Sequence, residues 1–195
     1  MSERIQNRPK YHLEGLLLVA APDWNNPLYG RSVCLVVHHG ADRAVGLILN
    51  RSLNSESPAL WKHLLGTDKS AAVHTPLHFA GPKSGPVVAI HDRPEFAEYS
   101  NSDGVYLAAQ LDNLRQLVKS HDQGHVKVFL GQTEWSAGEL EADFDAGLWL
   151  PLASNPQLVF AEDSEMWARG MRSIGDHFVA SITKSPVVPP CPLMN

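Results

Sequence analysis

The residues able to do chemistry in this chain are scattered histidines, a run of carboxylates and two cysteines. His38 and His39 stand where an apolar run gives way to a turn, with Asp42 close behind, and imidazole beside carboxylate is a metal or acid–base pairing. Adjacent strand residues point to opposite faces, so the two rings do not readily share one ion; hydrogen bonding at a turn end is the expectation. His74 and His78 are spaced i, i+4, but Pro76 between them breaks the helix that would align them, and no metal is expected there. His91-Asp92 at a strand end has the orientation of a general base, and a paired surface histidine accounts for it equally well. Cys34, flanked by Val33 and Leu35, reads as a buried thiol. Glu134, Glu139, Glu141, Asp143 and Asp145 could hold a cation or a basic partner, and read first as a solvated face. Trp24, Trp61, Trp135, Trp149 and Trp167 read as core anchors, because no basic groove accompanies them to make a base-stacking platform.

Composition narrows the classes. A chain of 195 residues, 44% hydrophobic and 19% charged, suits one soluble globular domain with a core that needs no staples. The net charge of −5 gives phosphate backbones and anionic lipid no invitation, so direct DNA binding is not expected. Cys34 and Cys191 make no disulfide framework, and no apolar run approaches the roughly 20 residues that cross a bilayer. A cytoplasmic protein without cofactor or metal is the expectation. No phosphate-binding glycine loop, Gly-x-Ser-x-Gly elbow, Cys-x-x-Cys pair or His-Glu-x-x-His motif is present.

The elements that must position these residues are mostly short strands. Leu16–Ala20, Val33–Val37 and Val45–Leu49 read as buried strands, the last two joined as a hairpin. Asn26-Pro27 caps a single helical turn, and Ser57-Pro58 opens a short helix over 59–65. Leu77–Ala80 and Val87–His91 are predicted as a second hairpin, residues 92–104 as a surface loop, Val105–Leu107 as a strand and 108–120 as an amphipathic helix. Val126–Leu130 is a strand, 135–144 a short helix, Leu148–Leu150 and Gln157–Phe160 further strands, and 163–174 a last helix. A frayed arm (1–14), one domain (15–180) and a Pro-rich tail (181–195) complete the plan. Helices mixed with hairpin-like strands, without regular βαβ alternation, give an α+β class with a largely antiparallel sheet.

Three blocks occur in order: Ala20-Ala21-Pro22, Asn26-Pro27-Leu28-Tyr29, Arg31-Ser32-Val33, His38, Gly40-Ala41 and Gly46-Leu47-Ile48-Leu49-Asn50; then Ala80-Gly81-Pro82 with Ile90-His91; then Gly131, Trp135, Gly138-Glu139-Leu140-Glu141 and Trp149. As a set they resemble the YqgE/AlgH family of small bacterial proteins, over about Leu16 to Gly175. The resemblance implies a bifurcated, barrel-like sheet flanked by helices, and a functionally uncharacterised family linked to transcriptional regulation. A non-enzymatic interaction or regulatory module is the leading expectation. Its surface would carry Arg31, Asn50, Gly81, His91, Trp135, Glu139 and Glu141 and hold an unknown protein or small-molecule partner. The alternative is an enzyme with His91 as base and Glu139 or Glu141 as acid or cation ligand.

Overall fold

A computed structural model describes residues 10–53, 61–62, 66, 75, 77–102 and 104–183. Its strands are β1 (Leu16–Ala20), β2 (Val33–His39), β3 (Arg43–Ile48), β4 (Leu77–Phe79), β5 (Val88–His91), β6 (Tyr99–Ser102), β7 (Val105–Ala108), β8 (Val126–Leu130), β9 (Thr133–Ser136) and β10 (Trp149–Ala153). We label the helices α1 (Leu111–Lys119), α2 (Glu139–Asp145), α3 (Pro156–Val159) and α4 (Asp163–Thr183). The strands form two five-stranded sheets, ordered β10-β1-β2-β3-β9 and β4-β8-β5-β7-β6. Every pairing is antiparallel except β4 with β8. The fold is therefore α+β and largely antiparallel.

The sheet bifurcates but does not close into a barrel. Beyond β3 the chain leaves the first sheet and lies along β4: Ile48 N–H donates to Ala80 O (3.0 Å), Phe79 N–H to Arg51 O (2.8 Å) and Leu53 N–H to Leu77 O (2.7 Å). β8 similarly passes through Gly131, at φ +75°, into β9 of the other sheet. Both crossings need close backbone approach: a Cβ on Gly81 would overlap the Gln132 carbonyl.

β1 is buried along its whole length because both of its faces are covered, which is why it reads as a continuous apolar run rather than an alternating one. Leu17 and Val19 join Leu35, Leu47, Ile90, Phe129 and Met166 in one cluster; Leu18 and Ala20 join Cys34, Trp135, Leu140 and Trp149 in another. A third cluster sets Leu114, Leu117 and Val118 of α1 against Ala89 and Val128. Gly46 leaves room for Trp135, since a Cβ there would stand 2.6 Å from Cys34 Sγ and 3.0 Å from the indole.

Four expectations are corrected. β4 and β5 are not a hairpin; β8 lies between them, pairing parallel with one and antiparallel with the other. Residues 92–104 are not all loop, for Tyr99–Ser102 is an edge strand on β7. Trp135 is not helical: β9 takes Thr133–Ser136, pairing with β3, and the helix starts only at Glu139. Gln157–Phe160 is helical because Asn155 Oδ1 accepts from Leu158 N–H (2.9 Å) and Pro156 occupies the first turn, a capping pair that outweighs the β propensity of Val159-Phe160. The last helix also runs nine residues beyond Ile174, to Thr183. The short helix over 59–65 falls largely outside the described residues.

Candidate functional site

A group of interacting, largely buried polar side chains lies where β4, β8 and the start of α4 meet. β4 presents His78, β8 presents Lys127, and Asp163 opens α4, where a carboxylate also suits the helix dipole. His78 Nε2 stands 3.0 Å from Asp163 Oδ2, and Lys127 Nζ donates to Asp163 Oδ1 (2.9 Å) and to the Ala161 carbonyl (3.0 Å). The side chains of His78, Lys127 and Asp163 are 1%, 11% and 24% exposed. Burial pushes the Asp163 carboxyl up, but the bonds from His78 and Lys127 more than reverse this, leaving it below the usual carboxylate range. Because a carboxylate only accepts, His78 Nε2 is the protonated nitrogen; Nδ1 is buried without a partner.

Above this group opens a cleft of about 580 Å³, lined by Ser52, His125, Phe160, Glu162 and Ser164 among others. Its His125 ring stacks on Phe160 with centroids 5.0 Å apart, and its Nδ1 meets Asp92 Oδ2 at 2.8 Å. Asp92 also accepts from the His125 N–H (3.0 Å). Burial raises the Asp92 carboxyl, and the His125 contacts bring it below its ordinary value.

The residues singled out in the sequence fall into separate groups. Asn50 clamps the neighbouring strand end: its Oδ1 accepts from Val33 N–H (3.0 Å) and its Nδ2 donates to Arg31 O (3.0 Å). Arg51 donates to Gly30 O (2.6 Å), and Ser52 pairs with His78. Asn50 thus fixes the wall of the cleft two residues before Ser52. Arg31 sits over the Trp167 ring of α4 at 5.6 Å. His91 is 0% exposed, its Nδ1 accepting from Arg93 N–H (3.3 Å), and its neighbour Asp92 pairs with His125 instead. Burial, with Arg93 nearby, lowers the His91 pKa.

Trp135 and Glu139 lie elsewhere. Together with Asp42, Arg43, Lys83, Glu134 and Ser136 they line a smaller groove of about 340 Å³. Trp135 Nε1 donates to Asp143 Oδ2 (3.1 Å), and Glu139 Oε2 accepts from Ser136 N–H (2.8 Å). Glu141 Oε1 meets His39 Nε2 at 3.2 Å, while His39 Nδ1 accepts from Leu13 N–H (3.3 Å). Asp145 takes Lys10 (2.7 Å) and Tyr11 (2.6 Å). The acidic run is therefore not simply a solvated face; these carboxylates have specific partners because α2 packs against both β9 and the 10–14 segment. Sequence reading passed over Lys127, Asp163 and His125, since an isolated lysine in a strand and an N-terminal helix aspartate have ordinary structural explanations. The signal was Lys127 itself, a charge inside the otherwise apolar run Val126–Leu130.

Among the described residues no group of three or more histidine, cysteine or acidic side chains is placed to hold a metal ion, and no helix is long and apolar enough to cross a membrane. The fold and cleft define a mixed α+β protein of two bifurcating, antiparallel-dominated sheets with flanking helices. An AlgH-like family model, DUF179, matches residues 17–179, and the chain belongs to that family. A UPF0301 protein of Chlorobium luteolum is 31% identical over 189 residues, covering 94% of this chain and 96% of the relative. A UPF0301 protein of Ruegeria pomeroyi is 29% identical over 169 residues, covering 84% and 92%. The solution structure of AlgH from Pseudomonas aeruginosa superposes with a TM-score of 0.68 at 20% identity, over 94% of this chain and 99% of that one. The crystal structure of a Corynebacterium diphtheriae protein gives 0.65 at 21% identity, over 89% and 94%. These likenesses carry the fold.

Proposed function

We propose that the protein is a non-enzymatic interaction module of the cytoplasm that takes a small polar molecule into the His78–Lys127–Asp163 cleft, with any influence on transcription indirect. The observation that carries this reading is the convergence of β4, β8 and α4 on one half-open cavity, floored by a neutralised charge group. Arg31, Asn50 and His91 act as positioning residues for its walls. Trp135 and Glu139 line the separate groove beside α2, while Glu141 pairs with His39 and Gly81 packs against the Gln132 backbone.

Two of the three histidines at or behind the cleft are unavailable as bases, which favours binding over turnover; the third, His125, is exposed with Nδ1 on Asp92 and is the one that product analysis must address. His78 spends Nε2 on Asp163 and keeps Nδ1 out of reach of water; His91 is wholly buried and spends Nδ1 on Arg93. Neither presents a free base to a substrate. A small-metabolite library screened by thermal shift and by product analysis tests the reading. Binding without turnover is expected, with amide shifts at Ser52, His125 and Ser164 that vanish in Ser164→Trp. Product formation that is lost in His78→Gln or in His125→Gln would overturn it, as would ligands that bind Ser164→Trp undiminished.

A further inference from the structure

The cleft above His78 shares a wall with a second hollow of about 570 Å³, for His125, Phe160, Ala161 and Glu162 line both. Polar groups on this wall are open to a ligand, unlike His78 on the floor, which is 1% exposed and already holds Asp163. The His125 side chain, stacked on Phe160, is 66% exposed. Asp92 sets the tautomer of its neutral ring: Oδ2 meets Nδ1 at 2.8 Å, and a carboxylate only accepts, so Nδ1 carries the proton and Nε2 presents a lone pair. The Glu162 carboxylate is exposed as well, and no hydrogen bond or ion pair holds it among the described residues. Two free acceptors, one of them charged, therefore stand on one wall. The other exposed groups, the hydroxyls of Ser52 and Ser164 and the amide of Gln157, donate and accept alike and impose no sign.

Charge points the same way. Asp92, Glu162 and Asp163 line the two hollows against Lys127 and Arg169. Lys127 is 11% exposed and spent on Asp163, and Arg169 is bound by Glu165 one turn back on α4. Arg51, near enough to feel Asp163, donates to the Gly30 and Asn50 carbonyls. The N-terminus of α4 favours negative charge, which Asp163 and Glu162 already supply. Glu162 is thus left without a counter-charge, and an anion would meet both it and Asp92. A cation that donates hydrogen bonds matches the wall. A guanidinium does so best: it is planar, stacks on an exposed aromatic ring such as His125, and presents N–H groups in a fork that fits a carboxylate.

We propose that the ligand of the cleft is a small organic cation rich in N–H donors, a guanidine or an amidine, held by Glu162 and by His125 Nε2 on the wall shared with the neighbouring hollow. This rests on the reading of the cleft as a binding site. The test is an amide NMR titration of the isotope-labelled full chain at pH 8 with three probes of similar length: butylguanidine, a cation; butylurea, its neutral counterpart; and pentanoate, an anion. Saturable shifts at His125, Glu162 and Ser164 are expected with butylguanidine and with neither of the others. Glu162→Gln, which breaks no side-chain bond among the described residues, is expected to weaken that binding about tenfold, the factor that one lost charge-assisted hydrogen bond brings. Asp112→Asn, on α1 and outside both hollows, is expected to leave it unchanged; equal weakening would reduce the effect to general surface attraction and overturn the proposal. A blocked Gly-Arg-Gly peptide carries the same group on a polypeptide, and binding about tenfold tighter than butylguanidine would overturn the small-molecule assignment. Butylurea or pentanoate binding as well as butylguanidine, and lost in Ser164→Trp, would overturn the cation while leaving the cleft a binding site. Silence toward all three probes would overturn it too, and the library screen then decides the cleft separately.

Discussion

The Asn50 side chain closes a ring with the backbone carbonyl of Arg31, a residue held at φ +56°. Arg31 is the one residue other than glycine with positive φ among those described. The left-handed turn points the chain into β2, and Asn50, reaching across from the end of β3, accepts Val33 N–H and holds that turn in place. Asn50→Ala strands both backbone groups and is expected to cost about 2 kcal/mol, from the 1–3 kcal/mol of a buried group left unpaired. Denaturant unfolding of the variant measures it. Unchanged stability would mean that water replaces the amide.

Arg31→Gly exchanges two effects of similar size. Glycine relieves about 1 kcal/mol of left-handed strain, and loss of the guanidinium from the Trp167 face gives back roughly 0.5–1 kcal/mol. A near-neutral change is expected for glycine, and a clear loss for Arg31→Val, whose branched Cβ worsens the strain without restoring the contact. Chemical denaturation of the pair tests the order.

The Asp163 group predicts an asymmetry between single and double substitutions. Asp163→Asn leaves Lys127 as a largely buried charge without its counter-charge, and about 3 kcal/mol is the expected loss. Lys127→Met with Asp163→Asn together removes both charges and is expected to cost less than the single change. A double-mutant cycle by thermal unfolding reads the difference.

Acid should weaken the protein in two stages with different owners. His91 titrates lower in the folded chain than in the unfolded one, so the unfolded state takes up its proton first; stability falls as pH drops below about 6.5 toward the folded value. Asp163 and Asp92 are depressed carboxyls, whose contribution is full above the unfolded value and is lost as pH falls through the folded one. The His91→Gln variant is expected to flatten the first stage only, as measured by urea midpoints across pH.

Burial pushes the Cys34 thiol far above its usual range. In a Cys191→Ser background it is expected to resist a thiol reagent until the chain unfolds, so labelling should follow the unfolding curve. Fast labelling of the folded chain would show the β2–β3 sheet opening.

Much of the fold was legible because most strands are short apolar runs bounded by Gly, Pro, Asn or Asp. Leu16–Ala20 and Val126–Leu130 match their observed bounds residue for residue. Pairing was less legible. No local pattern tells that β8 inserts between β4 and β5, for that depends on which strands share a buried face. Tyr99–Ser102 was missed because an edge strand with one partner shows little apolar alternation. Asn50 and His91 stand out in the sequence through their positions at strand ends, but their side chains are buried and neither lines the cleft. Lys127 and Asp163 were missed because their meaning depends on a contact spanning 36 positions of sequence.

The passage of the chain from β3 along β4, and from β8 into β9, ties each sheet to the other through crossing backbone. A fragment cut between them would expose a raw edge on both sides. No cut between β8 and β9 leaves both sheets with all their strands.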